Sequence, residues 1–120
     1  MSFRILGTGS YLPELSVTNN DLSKTIDTSD EWIKQRIGIE RRRISTDESA
    51  ADMGCKAALA ALEMSGTKPE ELDLIIAASM TGDTLAPTTA GGIQKLIGAH
   101  CPAFDMNSAC SGFMFALDIA

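Results

Sequence analysis

A run of small residues at helical spacing between Ser49 and Ser65 constrains the fold most. Ala50, Met53, Gly54, Ala57, Ala58, Ala61 and Leu62 recur at i, i+3, i+4 and i+7, and Gly66 follows as a stop. They share one face of a long helix. Because most of them are small, neighbouring elements can come close, so the stripe reads as a packing face.

The rest of the chain offers neighbours in alternating order. "FRILGT", residues 3 to 8, has the composition of a first strand. Its "GTG" lacks the third glycine and the immediate helix of a dinucleotide fingerprint. Thr18 or Asn19 can cap a short helix over "NDLSKTI". In "TSDEWIKQRIG", Thr28 and Glu31 have capping-box spacing and Gly38 ends the helix, which puts Trp32 and Arg36 on one face. "DLIIAAS", residues 73 to 79, reads as a strand covered on both faces. After the loop "MTGDTLAP" comes a helix over about Thr88 to Ile97, then a strand in "PAFDMN". A last helix opens at Cys110. Strands alternating with helices predict an α/β fold with a mostly parallel sheet.

That last segment, "CSGFMFALDIA", is apolar nearly all round. It predicts a buried central helix with partners on both flanks, of which the preceding residues can supply one at most. It also lacks a stop signal in its final turn. Residues 1–120 therefore read as the front part of a larger domain.

Composition narrows the function. The net charge of −6 argues against non-specific nucleic-acid binding. No apolar run is long enough for a membrane span, and the start lacks a cleavable secretory segment, so a cytoplasmic protein is expected. Lys34, Arg36, Arg41, Arg42 and Arg43 nevertheless crowd one short window. A solvated basic face is the simpler reading of it, and a local anion site the alternative. Cys55, Cys101 and Cys110 form no metal or disulfide pattern, and His100 is the sole histidine, so no metal site is expected.

Cys110 stands apart from the other two thiols. It lies among Ser108, Ala109, Ser111 and Gly112 at a predicted helix start, where the macrodipole favours thiolate. There its own N–H is free to stabilise an oxyanion. An inert core thiol is the competing reading. A nucleophile needs a base, but His100 lies about 20 Å away if residues 102 to 107 are extended. The base must come from outside these residues.

"DTSDEWIKQRIGIERRR" and "CPAFDMNSACSGFMFAL" together resemble the amino-terminal part of β-ketoacyl-acyl-carrier-protein synthase III. The likeness covers essentially the whole chain. It implies a thiolase-like fold of two similar halves, of which residues 1–120 belong to the first, and a homodimer. It also implies that Cys110 accepts an acyl group from acyl-CoA before decarboxylative condensation with malonyl-acyl-carrier protein. A His and an Asn in the second half would assist, and no cofactor is implied, CoA thioester being a substrate. Thr28, Trp32 and Arg36 match positions around the CoA adenine and phosphates. A Trp face can stack on adenine, and a guanidinium one turn away can meet phosphate.

Two positions depart from the family pattern. Ile37 stands where the family commonly has Thr. Ala86 precedes the loop proline, where a larger side chain often reaches across the dimer into the partner's acyl pocket. The resemblance leaves two alternatives: a thiolase-like ketosynthase of specialised metabolism, and an inactive CoA-binding or dimerisation fragment. Residues 1–120 alone are expected to be inactive in condensation.

Overall fold

The computed structural model describes residues 3–120, which divide into two compact units. One unit is Leu12–Glu48. It contains strand β1 (Leu15–Thr18), helix α1 (Asn19–Leu22), helix α2 (Asp30–Ile37) and strand β2 (Arg41–Ile44). β1 and β2 pair antiparallel with Val17 opposite Arg42, a ladder that the sequence reading did not anticipate.

The basic window supplies that second strand, and most of its charges are committed. Arg42 donates to the Val17 and Thr18 carbonyls at 3.3 and 3.2 Å and to the Asn19 side-chain oxygen. Arg43 donates to the Pro13 and Glu14 carbonyls at 2.8 and 3.2 Å. Lys34 pairs with Asp30 at 2.9 Å and Glu40 at 3.6 Å. Three of the five cations in the window, Lys34, Arg42 and Arg43, are therefore structural.

Asn19, fully buried, ties this unit together. Its Nδ2 donates to Asp30 Oδ1 at 2.9 Å and to the Ile39 carbonyl at 2.7 Å, while its backbone N–H donates to the Glu40 carbonyl. α1 begins in a capping box between Thr18 and Asp21, so Thr18 and not Asn19 is the cap, and the helix stops at Leu22, short of the expected Ile26. α2 differs: Ser29, not Thr28, is the cap, accepting from the Trp32 N–H at 3.1 Å. The Ser29 backbone is extended at φ −142° and ψ 157°, which turns its hydroxyl onto the first turn.

The other unit joins the chain up to Tyr11 with Ser49–Ala120. It contains α3 (Ala50–Ser65), β3 (Ile75–Ala78), α4 (Thr89–Ile97), β4 (Ala103–Met106) and α5 (Gly112–Ile119). β3 and β4 are parallel, with Ile76 opposite Phe104. The small-residue stripe packs as expected. A Cβ at Gly92 would come within 2.7 Å of Ala51 Cβ, and one at Gly54 within 2.5 Å of Ile93 Cδ1, so α3 and α4 touch where side chains are missing. Behind them Ile97, Ala99 and Cys101 form a buried cluster against Cys55, Leu62 and Ile75.

Residues 3–8 form no strand. Among the described residues no ladder partner lies beside them, and Phe3, Ile5 and Leu6 are exposed. The Thr8 N–H instead donates to the Met64 sulfur at 3.3 Å. Gly7 and Gly9 lie so close to the α3 backbone at Ala57 and Ala61 that a side chain would collide with it. The "GTG" is thus a close-approach motif.

Three carboxyls in these elements sit below their ordinary range. Lys34, then Asn19, hold down Asp30; Lys24, then Thr18, hold down Asp21; Ser49 holds down Asp52. A depressed carboxyl adds stability above its unfolded pKa and loses it as pH falls through the folded value. Thermal unfolding should therefore show stability declining below about pH 4, and less steeply in strong salt because these groups are exposed. A rise on acidification would contradict the assignment.

Candidate active site

β4 ends at Met106, and the chain turns sharply through Asn107 and Ser108 into a 3-10 turn, Ala109–Ser111, that runs into α5. The Ser111 N–H donates to the Ser108 carbonyl at 3.0 Å and closes that turn. Ala109 has φ +45°, a left-handed conformation that costs a non-glycine residue roughly 1–2 kcal/mol. The strain falls on the residue just before Cys110.

Gly112 makes the arrangement possible. It is buried, and a Cβ there would stand 3.3 Å from Ala78 Cβ, so the start of α5 lies directly on the end of β3. Cys110 itself is exposed, whereas Cys101 is buried and Cys55 half-buried. The Cys110 N–H meets no acceptor among the described residues. An accessible thiol and a free N–H coincide at one residue, in the 3-10 turn that leads into α5; the helix itself opens at Gly112 and not at Cys110 as the sequence suggested. His100 precedes β4 and Cys110 follows it, so the two lie towards opposite ends of that strand.

α5 has one flank covered. Ile76 and Ala78 on one face of β3, with Leu74 just before it, line an open apolar pocket of about 390 Å³ together with Phe113, Ala116 and Leu117. Ile75, on the other face of β3, joins the cluster beneath α4. Both faces of β3 therefore carry a helix layer. Phe113, Met114, Phe115 and Ile119 remain exposed, because the sheet reaches only one side of α5.

In the other unit, Asp27, Thr28, Ser29 and Trp32 line an open depression of about 350 Å³. Trp32 is 54% exposed, and the Arg36 guanidinium carbon stands 4.7 Å from the centre of its ring. With Ser29 taking the cap, the Thr28 hydroxyl has no hydrogen-bond partner among the described residues. The i, i+4 spacing thus brings Trp32 and Arg36 into contact, with Thr28 on the same depression as Trp32. Ile37 is 65% exposed at the end of α2.

Two carboxylates escaped the sequence reading. Asp105 accepts from the Thr89 and Ala90 N–H groups at 2.8 and 2.7 Å, at the start of α4. Asp83 accepts from the Ala50 and Ala51 N–H groups at 2.8 and 3.1 Å, at the start of α3. Ser49 and Thr88 take the next N–H of each helix, so the first turns are fully satisfied. An acid within the apolar run "PAFDMN" was the available signal for Asp105. Ala86 lies in the exposed connection after β3, next to the wholly exposed Leu85.

A parallel β3–α4–β4 unit followed by a helix that starts just after a strained, accessible cysteine defines a thiolase-like condensing-enzyme fold, in its amino-terminal part. The comparisons agree. The chain superimposes on a 3-oxoacyl-[acyl-carrier-protein] synthase III from Aquifex aeolicus with a TM-score of 0.91, at 50% identity over 97% of this chain and 38% of that one. A priming β-ketosynthase of a polyketide pathway gives a TM-score of 0.89 at 41% identity, over 98% of this chain and 36% of that one. In sequence the chain is 55% identical to a β-ketoacyl-[acyl-carrier-protein] synthase III of Clostridium acetobutylicum, over 99% of this chain and 37% of that protein. No family model matches the chain. Over nearly its whole length the chain is thus similar to β-ketoacyl-[acyl-carrier-protein] synthase III proteins, and it spans little more than a third of theirs.

Proposed function

We propose that this chain is the amino-terminal part of a cytoplasmic, homodimeric acyltransferase that carries out the initiating condensation of fatty-acid synthesis. The Cys110 thiolate attacks the thioester of an acyl-CoA primer such as acetyl-CoA, CoA leaves as thiolate, and the acyl group stays on sulfur. The Cys110 N–H stabilises the oxyanion formed on the way. Malonyl-acyl-carrier protein then loses carbon dioxide, and its carbanion attacks the Cys110 thioester to release a 3-oxoacyl-acyl-carrier protein and the free thiolate. A His and an Asn outside residues 1–120 assist the decarboxylation. Thr28, Trp32 and Arg36 hold CoA, which is a substrate; neither cofactor nor metal takes part.

The 55% identity across 99% of the chain, a span that includes Cys110, carries this reading. The likeness to a priming β-ketosynthase supports a second reading, a ketosynthase of specialised metabolism with the same Cys110 chemistry.

A chimera with residues 1–120 in place of the matching segment of the Clostridium acetobutylicum relative supplies the rest of an enzyme. In it, Arg36→Ala should weaken CoA binding by about 1–3 kcal/mol by calorimetry. Trp32→Leu should weaken it too, and the double variant should lose less than the sum, because the two side chains touch. Unchanged affinity in both single variants would make this face a solvated one.

A further inference from the structure

The connection from β3 to α4, residues 79–88, is exposed from Met80 to Pro87, and Leu85 is fully so. Its base is nevertheless held at two points, and its tip is closed by a third contact. Asp83 accepts from two N–H groups at the start of α3. Gly82 lies so close to α4 that a Cβ there would come 2.7 Å from Thr89 Oγ1. The Thr84 hydroxyl donates to the Pro87 carbonyl at 2.7 Å and closes the tip on itself. The result is an apolar tip, Leu85 and Ala86, standing on an anchored base.

We propose that Asp83 is a positioning residue for primer selection: its grip on the α3 N-terminus fixes how far the Leu85–Ala86 tip projects into the acyl pocket of a second copy. The inference rests on what the resemblance implies, that this loop reaches that pocket. A carboxylate spanning two adjacent amides at a helix start sets both distance and direction, and the favourable dipole field strengthens the hold. An apolar tip selects chain length only where its position is fixed. A tip that swings gives way to longer chains and discriminates less.

The chimera described above, assayed with acetyl-CoA and hexanoyl-CoA, tests this. Asp83→Ala should move the ratio of kcat/KM values for the two primers toward unity, by about three-fold or more. Asp83→Asn, which keeps one acceptor, should move it less, and it stands in if the alanine variant fails to fold. Ser49→Ala is the control: it removes the side-chain cap at the Asp52 N–H of the same helix without touching the loop, so it should lower the melting temperature and leave the ratio unmoved. Ala86→Phe tests the underlying reading and should selectively depress hexanoyl-CoA.

If Ala86→Phe shifts the ratio and the Asp83 variants do not, the positioning role falls while the loop reading stands. If Ser49→Ala shifts the ratio as far as Asp83→Ala does, the effect belongs to the stability of α3, and the proposal is overturned. If none of the variants shifts it, the loop does not reach the pocket and both readings fall.

Discussion

Cys110→Ala in the chimera should abolish acyl-enzyme formation and lower condensation by on the order of a thousand-fold or more. The thiol is the atom that carries the acyl group, and no neighbouring side chain can replace it. Ser108 and Ser111 lie nearby, but a hydroxyl without an adjacent base is a far poorer nucleophile than a thiol. The other thiols are poorly placed. Cys101 is 8% exposed within the Ile97–Ala99 cluster, and Cys55 packs against that cluster from α3. Incubation with acetyl-CoA, digestion and mass spectrometry should place the acyl group on the peptide containing "SACSGF" and nowhere else. Malonyl decarboxylation can persist at a low rate in Cys110→Ala, since that step rests on groups outside residues 1–120. A label on Cys101, or acyl transfer surviving the substitution, would end the assignment.

Asn19→Ala should cost roughly 2–4 kcal/mol of stability in Leu12–Glu48, the largest loss expected from any single polar side chain in that unit. The residue is fully buried and its amide serves Asp30, the Ile39 carbonyl and Arg42 at once. Truncation leaves those partners facing a cavity. Asn19→Asp separates this account from simple packing loss. It has the same shape and still accepts from Arg42, but it turns an oxygen toward the Asp30 carboxylate and the Ile39 carbonyl. Near neutral pH it should destabilise about as much as alanine, and acidification toward pH 4 should relieve part of the loss as the new carboxyl protonates. Chemical denaturation of the paired variants at both pH values measures this. A neutral effect of Asn19→Asp would show that the amide donor is not what holds the unit together.

Much of the architecture was legible because the signals concerned are local. Thr18 caps α1 and Ser49 caps α3 about where helices were expected to begin, each through a contact three residues long, to Asp21 and to Asp52. Gly38, Gly66 and Gly98 end three helices at φ 71°, 69° and 77°. Cys110 was conspicuous because a thiol among small residues at the junction of an apolar strand and an apolar helix is itself a local pattern. Thr28 shows the limit of such reading. Its capping-box spacing was correct, yet the adjacent Ser29 had the same reach and the extended backbone that a cap requires.

The sequence by itself determined α3 and α4, their glycine stops and the approximate span of β3 and β4, since each depends on residues within about four positions of one another. Only the tertiary structure decided what depends on partners far along the chain. Residues 3–8 had a strand's composition but have no strand to pair with among the described residues, and a ladder cannot form on one edge alone. The arginine run became a strand because Leu15–Thr18 lies opposite it, and its charges went to carbonyls more than twenty residues away. Asp83 and Asp105 read as ordinary loop and strand acids until folding set them on helix starts 33 and 16 residues distant. Periodicity says which face of an element is apolar, but not which backbone amides will stand unpaired beside a distant carboxylate.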